Sequence, residues 1–492
     1  MIRSIVITIS LLLGAISYAQ NENDVLRYST TDVYGSARFE AMAGSFGALG
    51  ADFSAIQINP ASMGRFSSSQ ASFSFNNTIV QTTGLYNDVR TKTNNNSFKI
   101  SNAGAVITND ISVKNDGRLY NQITVGYTRL KNFDYNRRYE GQNFYSLLDV
   151  FANMGYGIDP EFIYTERPFT TGLAYDTYAV DYDPSTGEYI SRLTSGDMYH
   201  NREINTSGGI GEFHIGYSEN YMNKLYYGVS LGIRRFNYEQ DYVHNETLLD
   251  TTGVSLRSFD YIYNLATSGT GYNLKLGFLY LPSDFFRIGF AFESPTIATL
   301  EDNWRANMTA THDYGTESIQ EKYVPEGRFE YQLKTPMKIR GSFAYVLNYR
   351  GAVNVDLEMA RFNAGELRPE GGAFNTQGYN FAAENEEVQN QFRTVLNTRI
   401  GFEYMILKDV FVRAGYALLP QPYKKQVGNL NMPNQTFAGG LGWKLNNINL
   451  DLSYRQLRLN SEYYAFDPSK SENRTEFTSV LHNIVFTFNL TF

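Results

Sequence analysis

The sequence has 492 residues, a formal net charge of -8 at pH 7 and no cysteine. The acidic balance argues against nucleic-acid binding, which needs a basic surface, and the missing cysteines exclude disulfides, thiolate metal sites and a catalytic thiol. The 38 tyrosines, 34 phenylalanines and 41 glycines favour a protein rich in twisted β-strands, either in a membrane or in water.

The first twenty residues have the pattern of an export signal. Arg3 precedes an apolar run from Ile5 to Ile16, and Ser17-Tyr18-Ala19 has the small-x-small spacing of a signal-peptidase site. The run is too short to prefer a membrane-spanning helix, and no later segment supplies the roughly eighteen apolar residues that such a helix needs. We therefore predict a signal peptide over residues 1–19 and a mature chain that begins at Gln20.

Residues 27–66 do not alternate as a strand does, and they contain many small residues. A glycine-rich stretch with a modest helical signal suits close packing in a confined space. We predict that residues 20–66 form an N-terminal plug, or hatch, and that residues 67–492 form a β-domain with long outer loops.

The β-domain alternates between apolar and polar side chains. The last twelve residues are typical, with apolar side chains on one face and polar ones on the other: Ile484, Phe486, Phe488, Leu490 and Phe492 against Asn483, Thr487, Asn489 and Thr491. This pattern predicts fourteen strands, near residues 68–77, 97–107, 119–131, 207–218, 224–238, 262–280, 285–294, 336–348, 352–362, 394–407, 409–418, 436–446, 448–457 and 481–492.

Periodicity alone does not separate a transmembrane barrel from a soluble sandwich, because both alternate. The links between the predicted strands do separate them. Short links rich in Asn, Asp, Gly or Pro alternate with long ones at 78–96, 132–206, 239–261, 295–335, 363–393, 419–435 and 458–480, as in outer-membrane barrels. An all-β, transmembrane antiparallel barrel of about fourteen strands is therefore predicted, with both chain ends on the short-link side.

Within the long link 132–206, Leu147, Phe151 and Met154 share one face of a predicted helix capped by Ser146. This helix at the barrel mouth either receives an apolar ligand or packs on neighbouring loops. On the inward strand faces, Arg340, Arg399 and Arg413 are candidates for binding an anionic head group. The alternative, which we favour, is a lumen stabilised by salt bridges.

An enzyme is not expected, because catalysis would need a nucleophile or an activated water beside a histidine, and only His214 lies on an inferred inward face. Haem capture by loop histidines His200, His244 or His312 is a weaker alternative than plain solvent exposure. We expect no cofactor and no metal.

The segment before the first strand resembles the N-terminal hatch of the FadL/TodX/OmpP1 family. The likeness rests on Ala-Met-x-Gly-x-Phe-x-Ala at 41–48, which contains Gly44, on Asp-x-Ser-Ala-Ile from Asp52, and on Asn59-Pro60-Ala61. The resemblance implies a fourteen-strand outer-membrane barrel, a hatch that occludes the lumen, and passive uptake of hydrophobic molecules that leave sideways beside a kinked strand.

Two functions remain open from the sequence. The first is an outer-membrane channel for hydrophobic or amphipathic small molecules, surrounded by outer-membrane lipid. The second follows from a likeness to Bacteroidetes-type members of the family, some of which are accessory parts of secretion machinery: a non-transporting barrel that binds an outer-membrane protein partner. For a lateral opening, Ser101-Asn102-Ala103-Gly104 interrupts the apolar face of the second strand and is a candidate kink.

Overall fold

The computed structural model describes residues 22–114, 116–193, 197–370, 379–424, 432–466 and 470–492. The predicted signal peptide lies outside the described residues. Within them, no helix is both long enough and apolar enough to cross a membrane.

The described residues form six short helices and twenty-one strands. The helices are α1 (Glu22–Ser29), α2 (Ala37–Ala41), α3 (Leu147–Met154), α4 (Ile163–Glu166), α5 (Thr171–Asp176) and α6 (Ala382–Gln391), with 3₁₀ turns that include Phe53–Gln57 and Pro60–Arg65. The strands are β1 (Gln70–Tyr86), β2 (Val89–Asp110), β3 (Arg118–Asn132), β4 (Tyr135–Asn143), β5 (Val180–Asp183), β6 (Glu188–Ser191), β7 (Met198–Tyr221), β8 (Leu225–Leu248), β9 (Leu256–Tyr280), β10 (Phe286–Glu293), β11 (Ile297–His312), β12 (Gly315–Ser318), β13 (Glu326–Lys334), β14 (Lys338–Leu347), β15 (Gly351–Arg361), β16 (Glu366–Pro369), β17 (Thr394–Leu407), β18 (Val410–Leu419), β19 (Asn434–Leu445), β20 (Ile448–Tyr464) and β21 (Arg474–Thr491).

Nineteen of these strands form one antiparallel sheet, which closes where β1 pairs with β21 along its full length. Several are successive segments of one barrel strand: β3 with β4, β10 with β11, β12 and β13 with β14, and β15 with β16. The sheet is therefore a closed barrel of fourteen strands, as predicted. Because the first strand pairs with the last, the barrel has no terminal edge strand, as a strand-built membrane protein requires.

The barrel wall confirms the predicted faces and shows which one points outward. On β21, Ile484 and Phe486 are 44% and 46% exposed, whereas Asn483 and Thr487 are fully buried. Phe213 and Ile215 on β7 and Leu274 on β9 are likewise exposed. Apolar side chains thus face outward to the bilayer and polar ones face the enclosed interior, the reverse of a soluble sandwich.

The strands at the long-link end are longer than the sequence predicted. The expected long link at 78–96 is wrong, because β1 and β2 continue to a two-residue turn at Asn87–Asp88, where both residues have positive φ. Parts of the links 132–206, 239–261, 295–335 and 458–480 are strand as well. Above the lipid-facing belt the outward face turns polar, as at Arg235 and Asp241 of β8, while the inner face still carries apolar side chains such as Phe259 of β9. The outward apolar alternation therefore ends although the hydrogen-bond ladder continues.

Residues 144–193, which we call the outer cap, fold over the long-link end. They contain α3, α4, α5 and the hairpin β5–β6. Their apolar side chains share a buried cluster with Phe259 of β9 and Met308 of β11. The cap is thus a packed layer on the inner face of the wall.

Candidate functional site

Residues 22–66, the hatch, fill the lumen. The backbone nitrogen of Ala37 donates to Thr487 of β21 (2.6 Å), that of Phe46 donates to Asp356 of β15 (2.8 Å), and Gln122 of β3 donates to the carbonyl of Phe66 (2.7 Å). One segment can reach strands on all sides of the ring only from within the barrel. The structure therefore places the predicted plug inside the wall.

Asp52 holds two hatch turns together. Its carboxylate accepts from the backbone nitrogen of Ser54 (2.9 Å), which caps the turn Phe53–Gln57, and from the hydroxyl of Ser36 (2.7 and 2.9 Å). Ser36 in turn caps α2 by accepting from the nitrogen of Phe39 (3.1 Å). One buried carboxylate thus fixes the spacing of two helix starts.

The Asn59-Pro60-Ala61 turn joins the hatch to the wall. The side-chain oxygen of Asn59 accepts from the nitrogen of Ala61 (3.0 Å), and its amide donates to the carbonyls of Gly47 (2.8 Å) and Phe278 (3.1 Å). Pro60 occupies the first turn, where its missing N–H costs nothing, and its carbonyl accepts from Ser218 (2.8 Å). Every polar atom of the Asn59 side chain is therefore used.

Gly44 and its neighbour make a left-handed bend at the end of α2. Gly44 has φ +76°, and a Cβ there would lie 2.9 Å from the side chain of Val33. Ala43 has φ +51°, a region that is strained for residues with a Cβ. The bend returns the chain toward the wall, and Ala43 carries its strain.

Glycines in the barrel wall complete the docking surface, and the sequence reasoning missed them. A Cβ on Gly277 would lie 2.0 Å from the Asn59 side-chain oxygen, and one on Gly228 would lie 2.7 Å from the backbone of Pro60. A Cβ on Gly289 would lie 2.4 Å from the carbonyl of Gly47. Glycine at inward positions of otherwise alternating strands is the signal that indicates them.

A chain of alternating charges crosses the lumen wall beside the hatch. In order, it contains Lys275, Glu212, Arg234, Glu293, Arg340, Glu358 and Arg399. Each side chain is at most 5% exposed, and the contacts from Arg234 to Glu293 (2.5 Å) and from Arg340 to Glu358 (2.6 Å) are short. Buried charges arranged in this way neutralise one another and hold neighbouring strands in register.

The three arginines predicted to bind an anionic head group differ in how many protein carboxylates they contact. Arg340 binds two carboxylates, and Arg413 binds Glu403 and Asp451, both at 2.6 Å. Arg399 has a single longer contact to Glu358 (3.4 Å), and its Nε and Nη1 have no hydrogen-bond partner among the described residues. Arg399 lines a small cavity of about 20 Å³ between the hatch and the charged chain.

Helix α1 lies in an apolar chamber nearer the long-link end. Val25 and Tyr28 are buried there against Phe133, Phe236 and Leu300. Rings from the wall surround Tyr28 edge-on, with centroids 5.9 Å from it for Phe236 and 6.2 Å for Phe133. A helix of the hatch thus occupies an apolar space that the wall lines around the lumen.

The wall has a seam between the second and third barrel strands. The ladder between β2 and β3 runs from Asp110 to Asn102; beyond it, in residues 89–101 and 129–143, all of them described, no ladder joins the two strands. The third strand is interrupted at Phe133–Asp134, between β3 and β4. At the predicted kink, residues 101–104, β2 continues without interruption and has only a bulge against β1. The interruption lies instead on the neighbouring strand, between β3 and β4.

Side chains bridge this seam. Asn132 donates to the hydroxyl of Ser97 (3.1 Å), and Lys99 pairs with Asp134 (3.2 Å). On the outer face Phe98 is 66% exposed, so the seam opens at the level of the lipid-facing belt. On the inner face, buried Phe133 belongs to the chamber that holds α1. The chamber and the bilayer are therefore separated here by side-chain contacts instead of a ladder.

Cap residues Leu147 and Phe151 are buried, and Met154 packs beside them. They lie in the contact between the cap and the wall, and their role toward a ligand stays a prediction. The placement of the histidines in loops is wrong: His200, His244 and His312 lie on β7, β8 and β11 and are buried, because these strands extend beyond the belt.

A closed barrel with an apolar exterior, a charged interior and an N-terminal plug defines an outer-membrane β-barrel. The chain belongs to the family of outer membrane protein transport proteins (OMPP1/FadL/TodX), whose model matches residues 219–492, more than half of the sequence. The matched part does not include the Asn59-Pro60-Ala61 turn. Comparison with curated proteins finds no match.

Solved structures share the fold. The toluene transporter TodX of Pseudomonas putida is 13% identical, with a TM-score of 0.53, over 94% of this chain and 99% of that one. A FadL homologue of Pseudomonas aeruginosa is 11% identical, with a TM-score of 0.54, over the same shares. A deletion mutant of the TodX monoaromatic hydrocarbon channel is 12% identical, with a TM-score of 0.55, again over 94% and 99%.

Proposed function

We propose that this protein is a passive channel that carries hydrophobic or amphipathic small molecules from the outside, through the apolar chamber, and sideways into the outer membrane. The observation that carries the proposal is the continuity of the apolar chamber with the unladdered seam through Phe133. The related channels for toluene and other monoaromatic hydrocarbons support this class of substrate. An apolar solute gains free energy at each step away from water.

A ligand that enters the apolar chamber takes the place of helix α1. Its Val25 and Tyr28 fill the chamber with apolar and aromatic surface of the kind that a hydrocarbon or an acyl chain presents. A ligand of similar size therefore competes with α1 for the same contacts. Displacement of α1 leaves the rest of the hatch in place, because Asn59 still binds it to the wall.

Arg399 is the residue that we propose for an acidic head group. Among the described residues its Nε and Nη1 have no hydrogen-bond partner and the residue lines a small cavity next to the hatch, whereas Arg340 and Arg413 are each paired with two carboxylates. Each of these two nitrogens can donate one charge-assisted hydrogen bond to a carboxylate oxygen. Replacement Arg399→Gln is expected to lower the uptake of a long-chain fatty acid and to leave that of toluene unchanged.

Cross-linking the seam tests lateral exit. The chain has no cysteine, so the pair Ser97→Cys and Asn132→Cys introduces the only thiols, where the native side chains are 3.1 Å apart. The matched control is Thr82→Cys with Ser479→Cys, partners on the closed β1–β21 ladder whose hydroxyls are 2.9 Å apart. A disulfide at the seam should abolish toluene uptake and reduction should restore it, whereas the control disulfide should leave uptake unchanged.

Unchanged uptake with a fully bridged seam would contradict lateral exit. The alternative of an accessory barrel is favoured by one observation, namely that the hatch and the charged chain fill the lumen below the chamber. Vesicles that contain the native protein but take up neither toluene nor fatty acid would favour that alternative.

A further inference from the structure

The outer cap lies above the chamber and shares apolar contacts with the wall. The wall residues under the cap, Leu248, Phe259 and Met308, are nearer the long-link end of their strands than Phe236 and Leu300, which line the chamber. Anything that reaches the chamber from outside must therefore pass the level of the cap. What holds the cap to the wall then matters for access.

The first turn of cap helix α3 is anchored by a wall carboxyl. Glu246, near the outer end of β8, accepts from the backbone nitrogen of Leu147 (2.8 Å) and bonds the hydroxyl of Ser146 (2.5 Å), the residue that caps the helix. Glu246 is fully buried. Its carboxyl thus satisfies a free N–H at the start of α3 and joins residues a hundred positions apart in the chain.

Glu246 contacts a row of buried side chains that lie on β8 and its neighbour β7. The Nε2 of His244 bonds the same carboxyl oxygen (2.8 Å), and the Nδ1 of His244 accepts from the Nε of Arg202 (3.1 Å). Arg202 is itself held by the hydroxyl of Tyr463 (2.6 Å) and by the ring face of Tyr242. This row fixes the direction of the Glu246 side chain.

The same group has the composition of a metal site, since ligand atoms of His200, His244 and Glu246 lie within 4.8 Å of one another. The guanidinium argues against that use. Arg202 can only donate, so the Nδ1 of His244 must carry a lone pair and the proton must be on Nε2. That proton points at Glu246, where a metal would need the nitrogen lone pair, and a second cation beside Arg202 would be repelled.

We propose that Glu246, oriented by His244 and Arg202, is the latch that docks the outer cap and thereby sets how often ligands gain access to the chamber. The latch itself is independent of transport; its consequence for access rests on the proposed function. Loss of the carboxyl leaves the N–H of Leu147 buried and unpaired, so the undocked cap becomes more populated without any change in the barrel.

Amide hydrogen exchange of cap peptides tests the latch without reference to transport. Glu246→Ala should raise exchange in α3 by about tenfold, the effect of losing roughly 1.4 kcal/mol of hydrogen bonding. Glu246→Gln keeps an oxygen for Leu147 and His244 and a donor for Ser146, so it should exchange like the native protein. Glu239→Ala, an exposed carboxylate on the same strand, is the control.

Toluene uptake then tests the consequence: Glu246→Ala should accelerate it, and Glu246→Gln should not. Unchanged cap exchange in Glu246→Ala would overturn the latch, and so would equal exchange in the Ala and Gln variants, because any local packing defect would produce that result. Faster cap exchange with native uptake would overturn the role in access.

Slower cap exchange of the native protein on addition of Zn²⁺ would overturn the hydrogen-bonded assignment in favour of a metal site. Failure of the proposed function is distinguishable, since uptake would then be absent in every variant while the cap effect persists.

Discussion

Removal of the Asn59 side chain is the most direct test of how the hatch is held. Asn59→Ala deletes the bond to the nitrogen of Ala61 and the two bonds from the amide to the carbonyls of Gly47 and Phe278. Each buried hydrogen bond contributes about 1 kcal/mol, and loss of an Asn cap costs a similar amount, so the docked hatch should lose about 3 kcal/mol. Since about 1.4 kcal/mol corresponds to tenfold, the undocked population should rise roughly a hundredfold.

Amide exchange of peptides from residues 37–66, measured in detergent micelles, follows this population. Asn59→Asp retains the oxygen that accepts from Ala61 but turns a buried carboxylate oxygen toward the carbonyls of Gly47 and Phe278, so its exchange should be at least as fast as that of Asn59→Ala. Asn94→Ala, at an exposed position on β2, should exchange as the native protein does. An increase of less than threefold in Asn59→Ala would refute the view that this turn is the main attachment of the hatch.

Three further outcomes are expected. Gly277→Ala should release the hatch much as Asn59→Ala does, because its Cβ would lie 2.0 Å from the Asn59 oxygen; Gly341→Ala, whose Cβ meets nothing within 4 Å, should be silent in the same exchange experiment. Ala43→Gly should slow hatch exchange severalfold by removing about 1 kcal/mol of left-handed strain; faster exchange would show that the Ala43 methyl contributes more by packing. Burial raises the pKa of Glu246 to about 8 from its ordinary value of 4.5, so proton binding favours the docked cap; the protection of cap amides, measured relative to their intrinsic exchange rate at each pH, should fall between pH 4.5 and 8 in the native protein but not in Glu246→Gln.

Glu246 lies beyond the membrane-spanning part of β8. The outward face of β8 is apolar up to Ile233 and turns polar at Arg235, and Glu246 is about 40 Å further along the strand. Its environment is the packed cap, where desolvation outweighs the bonds from Ser146 and Leu147 that favour the anion.

The sequence by itself determined the strand count, the strand faces and the plug. Alternation such as that of Ile484, Phe486 and Phe488 with Asn483 and Thr487 is a local property of an extended chain, and so it can be read without knowing any partner. The long links were overestimated because strand segments beyond the bilayer, such as those that carry His200 and His244, have no lipid-facing alternation to reveal them.

Only the tertiary structure decided which candidates share a site. Arg340, Arg399 and Arg413 are equivalent by pattern, and only the register across neighbouring strands leaves two nitrogens of Arg399 without a hydrogen-bond partner in the described part of the chain. The bond between Glu246 and Ser146 and the seam at Phe133 likewise depend on contacts between residues far apart in the chain. Those contacts are set by barrel closure and the packing of hatch and cap, for which a single sequence carries no local signal.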